Sequence, residues 1–281
     1  MEHIRNAVER AKTVRSDVSQ QQSQIDSAAE QSQFLPNTTV VNAARPWGSE
    51  LVLNGVHLES NRIISHDIAD PRSKSFDILR TQVLQSMEAK SWQLLGITSP
   101  TPGCGKSTIA ANLALSIARL PDKKVLLVDL DMQKPQVSNA LGLKCKQGVV
   151  SVLEGKAKLS GALVRAYIGK QSVLVLPCEN SIPNSSEWMA SRSMIALLQE
   201  IKRDFRGWTV ILDLPPMLLS DDVITILPQI DCALFVATVG TSTVSEVKEC
   251  ARHLDSTPIV RAILNKSADS TASYYSRYGH Y

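Results

Sequence analysis

From Trp92 onward, short and almost uninterrupted apolar runs alternate with stretches of helical periodicity. The runs are QLLGITS (93–99), KVLLVDLD (124–131), VLVLP (173–177), TVILDLP (209–215), CALFVATV (232–239) and IVRAILNK (259–266). Runs of this length without polar interruption predict strands buried on both faces. Helical patterns fall near 105–120, 186–204 and 243–254. Strands alternating with helices imply an α/β fold, a mostly parallel sheet with right-handed crossovers and helices on both faces. Ligands in such sheets bind beyond the carboxyl ends of the strands, so the residues just after each run carry the functional information.

The N-terminal part reads differently. Ile4, Val8, Ala11 and Val14 recur at helical spacing with charges between them, which predicts a short amphipathic helix over 1–16. Two readings stay open for it, a solvated terminal helix and a helix that docks on a partner. Residues 17–45 begin with a Gln/Ser-rich stretch poor in large apolar side chains, a flexible-linker composition. The folded domain is expected over 46–266. A polar segment follows at 267–281 and holds Tyr274, Tyr275, Tyr278 and Tyr281, four of the five tyrosines.

Composition narrows the class without deciding it. Of 281 residues 43% are hydrophobic, enough for a large core, and the formal charge of +3 is too balanced to argue for nucleic acid. Five scattered cysteines, with no CxxC pair, suggest neither a zinc site nor a disulfide framework. No apolar run approaches the ~20 residues of a membrane helix. The N-terminus also lacks a signal-peptide core. The expected location is cytoplasmic.

The first run leads into Ser99-Pro100-Thr101-Pro102-Gly103-Cys104-Gly105-Lys106-Ser107-Thr108 and then a helical pattern, the context a phosphate loop requires. Gly103 and Gly105 permit backbone angles that aim N–H groups inward, and the helix N-terminus favours an anion. Residues 102–108 are therefore the expected nucleotide contacts, with Lys106 on the β- and γ-phosphates and the Ser107 hydroxyl on Mg²⁺. Position 100, where the usual pattern has Gly, is Pro.

Carboxylates end two further runs. Asp129 and Asp131 share one side of the second, and Asp213 closes the fourth before Pro215 and Pro216. If these strands flank the first, all three acids surround the Mg²⁺ of a bound nucleotide, with Asp213 as the Walker B carboxylate. Capping of the following helices is the alternative, and either Asp129 or Asp131 is also placed to take a proton from an incoming hydroxyl. Lys106, Asp129, Asp131 and Asp213 are thus the candidate catalytic set.

In combination, TSPTPGCGKST, VLLVDLDMQKP and VILDLPPMLLSDD resemble the Walker A, Walker A′ and Walker B segments of the bacterial tyrosine kinases of capsule and exopolysaccharide synthesis. The likeness runs over about residues 65–266 and includes the segment from Pro71 to Gln82, which resembles the helix leading into that family's domain. The resemblance implies a P-loop kinase that uses ATP and Mg²⁺ to phosphorylate its own tail tyrosines across subunits of a homo-oligomer. It also implies a separate membrane-anchored polysaccharide co-polymerase that activates the kinase and recruits it to the inner face of the plasma membrane, and a cognate tyrosine phosphatase. Three places depart from the family's pattern: Cys104 where Glu is frequent, Gln133 where Arg is usual, and Lys74 and Asp77 ahead of Arg80 in the oligomerisation pattern ExxRxxR. Cys104 in a phosphate loop also invites a redox reading. Two alternative functions share these motifs: a partitioning-type ATPase switch, and an assembly scaffold that binds nucleotide but barely turns it over. The first usually has a further Lys early in its loop, where this chain has Thr101-Pro102-Gly103.

Overall fold

The computed structural model describes residues 48–267. The amphipathic stripe, the Gln/Ser-rich stretch and the four tail tyrosines lie outside the described residues. Eight strands form one sheet: β1 (Ser49–Val52), β2 (Leu94–Thr98), β3 (Val125–Asp129), β4 (Val164–Ile168), β5 (Gln171–Leu176), β6 (Thr209–Asp213), β7 (Cys232–Thr238) and β8 (Ile259–Asn265). Their order is β1-β4-β5-β3-β6-β2-β7-β8. From β5 to β8 every neighbouring pair is parallel. Only β4 opposes its neighbour β5, and β1 runs parallel to β4.

The helices are α1 (Gly55–Ser60), α2 (Lys74–Ala89), α3 (Lys106–Ala118), α4 (Val137–Leu141), α5 (Val149–Leu153), α6 (Leu159–Ala162), α7 (Ser185–Met189), α8 (Arg192–Asp204), α9 (Asp222–Ile226) and α10 (Val244–His253). Successive strand side chains point to opposite faces, and this divides the core in two. Leu95, Ile97, Leu127, Ile211 and Leu234 pack with α1 to α4 on one face. Leu94, Leu126, Val128, Val210 and Leu212 pack with α5 to α10 on the other. Burying each such Leu or Ile contributes about 1.5–3 kcal/mol, so both sets of helices are held by the same strands.

All six predicted strands are present. Two more escaped the pattern: β1, the mostly exposed edge strand, and its neighbour β4, which is only partly buried, carry polar residues such as Glu50 and Arg165. The helix α3 is apolar nearly all round because it lies buried against the sheet. The α10 N-terminus is fixed by a capping box between Thr243 and Glu246.

Helix α2 is tied to α3 by one carboxylate. Asp77 accepts hydrogen bonds from Arg119 (2.7 Å), the Ser116 hydroxyl (2.8 Å) and Arg80 (3.2 Å). Arg80 also donates to the Ser116 carbonyl at 3.0 Å. Both Asp77 and Arg80, two of the positions matched to the oligomerisation pattern, are therefore engaged inside the subunit.

Candidate nucleotide site

The site forms where β2, β3 and β6 end side by side. Register places Asp129 directly opposite Asp213, and Asp213 opposite Ile97. The β6 extension then pairs with the start of the phosphate loop: Met217 N–H donates to Ser99 O at 2.8 Å and Leu218 N–H to Pro100 O at 3.1 Å. Topology thus brings together the three motifs, which lie up to 115 residues apart in sequence (from Thr98 to Asp213).

Gly103 and Gly105 adopt φ of +78° and +93°, the left-handed region that a side chain would strain. At Gly105 there is a second demand: a Cβ would lie 2.4 Å from Asn265 Nδ2. At Gly103 a Cβ would meet nothing, so the loop is open there. Pro102 and Gly103 are exposed, Gly105 and Thr108 are half-buried, and Cys104, Lys106 and Ser107 are buried.

Each carboxylate has a different environment. Asp129 Oδ1 accepts the Asp131 N–H at 3.2 Å and Oδ2 accepts the Val137 N–H at 3.1 Å, so it holds the turn into α4. Asp131 Oδ2 pairs with Lys106 Nζ at 3.4 Å and its Oδ1 accepts the Lys134 N–H at 3.1 Å. Asp213 is fully buried and neither oxygen has a hydrogen-bond partner among the described residues. Burial pushes its carboxyl up to about 6; the Lys106 charge and the nearby Ser107 hydroxyl, which stands outside ordinary hydrogen-bond geometry, oppose this, and the Asp131 charge adds to it. Asp129 is raised well above the ordinary carboxylate range, by burial first and by the facing Asp213 charge second.

An unpartnered buried carboxylate is costly, and its occurrence beside the first turn of α3 marks a place for a cation or its water. The three acids do not form a cage, however: among the described residues no group of three His, Cys, Asp or Glu side chains is arranged to hold a metal ion. Magnesium does not need one. It keeps several waters and takes one or two carboxylates together with substrate phosphates, a demand that Asp213 and the Ser107 hydroxyl fit.

Several residues that support the loop were not singled out from the sequence. Asn265 Nδ2 donates to Cys104 O at 2.8 Å, Thr238 Oγ1 donates to the same carbonyl at 3.3 Å, and Lys266 Nζ donates to Gly103 O at 2.8 Å. The available signal was position alone, since these polar residues stand where β7 and β8 end. The five cysteines are free thiols. Cys104 is only 1% exposed. Burial raises its thiol pKa, but hydrogen bonding with Thr238, Ser242 and Thr101 more than offsets this and leaves it below the ordinary value. Its burial disfavours the redox reading, which needs access.

The CobQ/CobB/MinD/ParA nucleotide binding domain matches residues 95–278. YwqD of Bacillus subtilis, a tyrosine-protein kinase by name, is 30% identical over 227 residues, covering 80% of this chain and 94% of YwqD. The chain belongs to this nucleotide-binding family, in its bacterial tyrosine-kinase branch. Other members of that branch extend well beyond the shared domain. EpsB of Ralstonia nicotianae is 30% identical over 217 residues, which are 75% of this chain but only 28% of EpsB. The kinase domain of Escherichia coli tyrosine kinase Etk superposes with a TM-score of 0.64 at 30% identity, over 72% of this chain and 79% of that domain. The loop at 102–108 lies inside the matched nucleotide-binding domain. Among the described residues no helix is long and apolar enough to cross a membrane.

Proposed function

We propose that this protein is an ATP-dependent protein-tyrosine kinase that phosphorylates its own C-terminal Tyr274, Tyr275, Tyr278 and Tyr281, in the control of exopolysaccharide or capsule synthesis. The observation that carries this reading is Asp213: a fully buried carboxylate with two unpartnered oxygens beside Lys106 and Ser107. It suits Mg²⁺, which supplies charge neutralisation to the phosphates when bound. The names of the relatives, with the tyrosines at 274–281, point to tyrosine as acceptor.

The chain's own residues then take separate roles. The N–H groups of residues 103–108 bind phosphate oxygens, and Lys106 brings a fixed positive charge to the transferred group. Asp129, with both oxygens committed to backbone N–H groups, positions the β3 exit rather than reacting. Asp131, two residues beyond it and held by Lys106, is the group placed to accept the tyrosine proton as the hydroxyl oxygen bonds to the γ-phosphorus and ADP leaves. Catalysis rests mainly on alignment and charge, which suits a site built from strand ends.

The expected partners are a membrane-anchored polysaccharide co-polymerase that activates the kinase at the inner face of the plasma membrane, other copies of this chain, and a tyrosine phosphatase. Incubation of the purified chain with ATP and Mg²⁺, with and without that membrane partner, followed by mass spectrometry of the C-terminal peptide, tests the function. Stepwise gain of phosphate on the tail is expected; ATP turnover with no phosphotyrosine under either condition returns the function to an ATPase switch.

A further inference from the structure

Beyond the nucleotide site lies a polar chain that starts at the surface, ends on a buried carboxylate and has no role so far. Asp222, the first residue of α9, is completely buried. Both of its carboxylate oxygens accept hydroxyl hydrogens: Oδ2 from Ser185 at 2.5 Å, and Oδ1 from Ser186. Among the described residues no Lys, Arg or His lies in ion-pair range of it. Ser185 has one proton to give, and an ionised carboxylate accepts only. Ser185 Oγ must therefore accept its other hydrogen bond, and it does so from Gln133 Nε2 at 2.9 Å. The direction of the whole chain is fixed: Gln133 to Ser185 to Asp222.

Gln133 stands two residues beyond Asp131, in the segment between β3 and α4. That segment is clamped from the same side by two further bonds. Ile182 N–H donates to Met132 O at 2.9 Å, and the Ser181 hydroxyl donates to Gln133 O at 2.5 Å. Residues 181–186 thus grip the stretch that carries Asp131, and Asp222 in turn grips residues 185 and 186. Asp222 itself lies on the same β6-to-α9 connection that begins with Asp213. The chain therefore links the two acid-bearing segments by a route that does not involve Lys106.

We propose that Asp222 is a positioning residue for phosphoryl transfer, acting through Ser185 and Gln133 to fix Asp131 relative to Asp213 and Lys106. A fully buried carboxylate held only by hydroxyls is an expensive way to anchor a loop. Alignment of reacting groups is where such an anchor returns its cost, because displacements near 1 Å lower rates by about 10²-fold. This inference deepens the kinase reading and rests on it.

The test compares the full chain with Gln133→Ala, Ser185→Ala and the double variant. Gln133 is exposed, so its truncation leaves the fold intact, and Ser185→Ala leaves Asp222 its bond from Ser186. Each single variant is expected to lower kcat for phosphotyrosine formation about tenfold while KM for ATP moves less than about twofold. The double variant is expected to be no slower than either single one, because both cut the same chain. A wild-type kcat in Gln133→Ala, or losses that multiply in the double variant, overturns the proposal. If the wild-type chain makes no phosphotyrosine, the kinase reading fails separately, and the same rate ratios are read from phosphate release from ATP.

Discussion

Asp213 is the residue whose chemistry and stability conflict most openly. Its carboxyl is raised from an ordinary 3.8 to about 6. Below pH 4 it is protonated in folded and unfolded chains alike. Between pH 4 and 6 the folded protein keeps a proton that the unfolded chain has released, so stability falls as pH rises through that window. Once ionised, the group costs the folded state roughly 3 kcal/mol. Asp213→Asn is therefore expected to raise the melting temperature of the ligand-free protein at pH 7.5 by several degrees. The gain should vanish near pH 4, and transfer should be lost at every pH. Equal melting temperatures at pH 7.5 would show that the carboxylate is not strained. Lys106 presents the opposite case, a buried cation paired with buried Asp131. Lys106→Met should abolish phosphorylation and also lower the melting temperature, because it strands Asp131; Lys106→Met with Asp131→Asn should recover the temperature and not the activity. Calorimetry beside a phosphotyrosine assay separates the two effects.

At the scale of elements, the loops around the sheet are braced by side chains from distant strands. Helix α2 depends on Asp77, whose truncation would take from Arg119 and Arg80 their carboxylate partner and leave them hydrogen bonds to neutral groups alone. Asp77 is partly exposed, so the loss is set at about 2 kcal/mol, or about 4–8 °C in melting temperature. Asp77→Ala should show that fall with unchanged KM for ATP; an unchanged melting temperature would mean that α2 is held by apolar packing alone. Reversal of Asp77 to Arg is consequently a poor test of subunit contact, since it destroys an internal tie first. The β8 end is a second brace. Asn265 packs against Gly105 and bonds Cys104 O, so the last strand of the sheet determines the shape of a loop 160 residues earlier.

For the whole molecule, the nucleotide site and the proposed acceptors are separate in sequence, and roles should separate in experiment. Changing Tyr274, Tyr275, Tyr278 and Tyr281 together to Phe keeps the rings and removes only the hydroxyls. ATP affinity should stay within about twofold while most phosphotyrosine disappears. The fifth tyrosine, Tyr167 in β4, donates its hydroxyl hydrogen to Glu50 at 3.0 Å and is tied to the edge strand β1. Phosphate found mainly on Tyr167 in the four-Phe variant would defeat the tail assignment. Each phosphate adds about −1.5 to −2 charge. A multiply phosphorylated tail should therefore repel any acidic surface that holds it, and assemblies of this chain should shrink after ATP treatment, as read by light scattering.

The sequence by itself determined the fold class, the six central strands and the phosphate loop, because strands buried on both faces must be apolar and a phosphate nest must have glycine at positive φ. It also marked Asp129, Asp131 and Asp213, since an acid ending an apolar strand is conspicuous. It did not reveal the mostly exposed edge strand β1 or the partly buried β4 beside it, where polar residues are tolerated and blur the pattern. Only the tertiary structure decided how the three acids differ. Backbone N–H groups claim Asp129, Lys106 claims Asp131, and Asp213 is left without a partner. Those distinctions arise from strand order and register, which bring together groups far apart in the chain. The same holds for Asp222 with Ser185 and Gln133, and for Asn265 with Cys104: hydrogen bonds across 37 to 161 residues leave no periodic trace in the sequence.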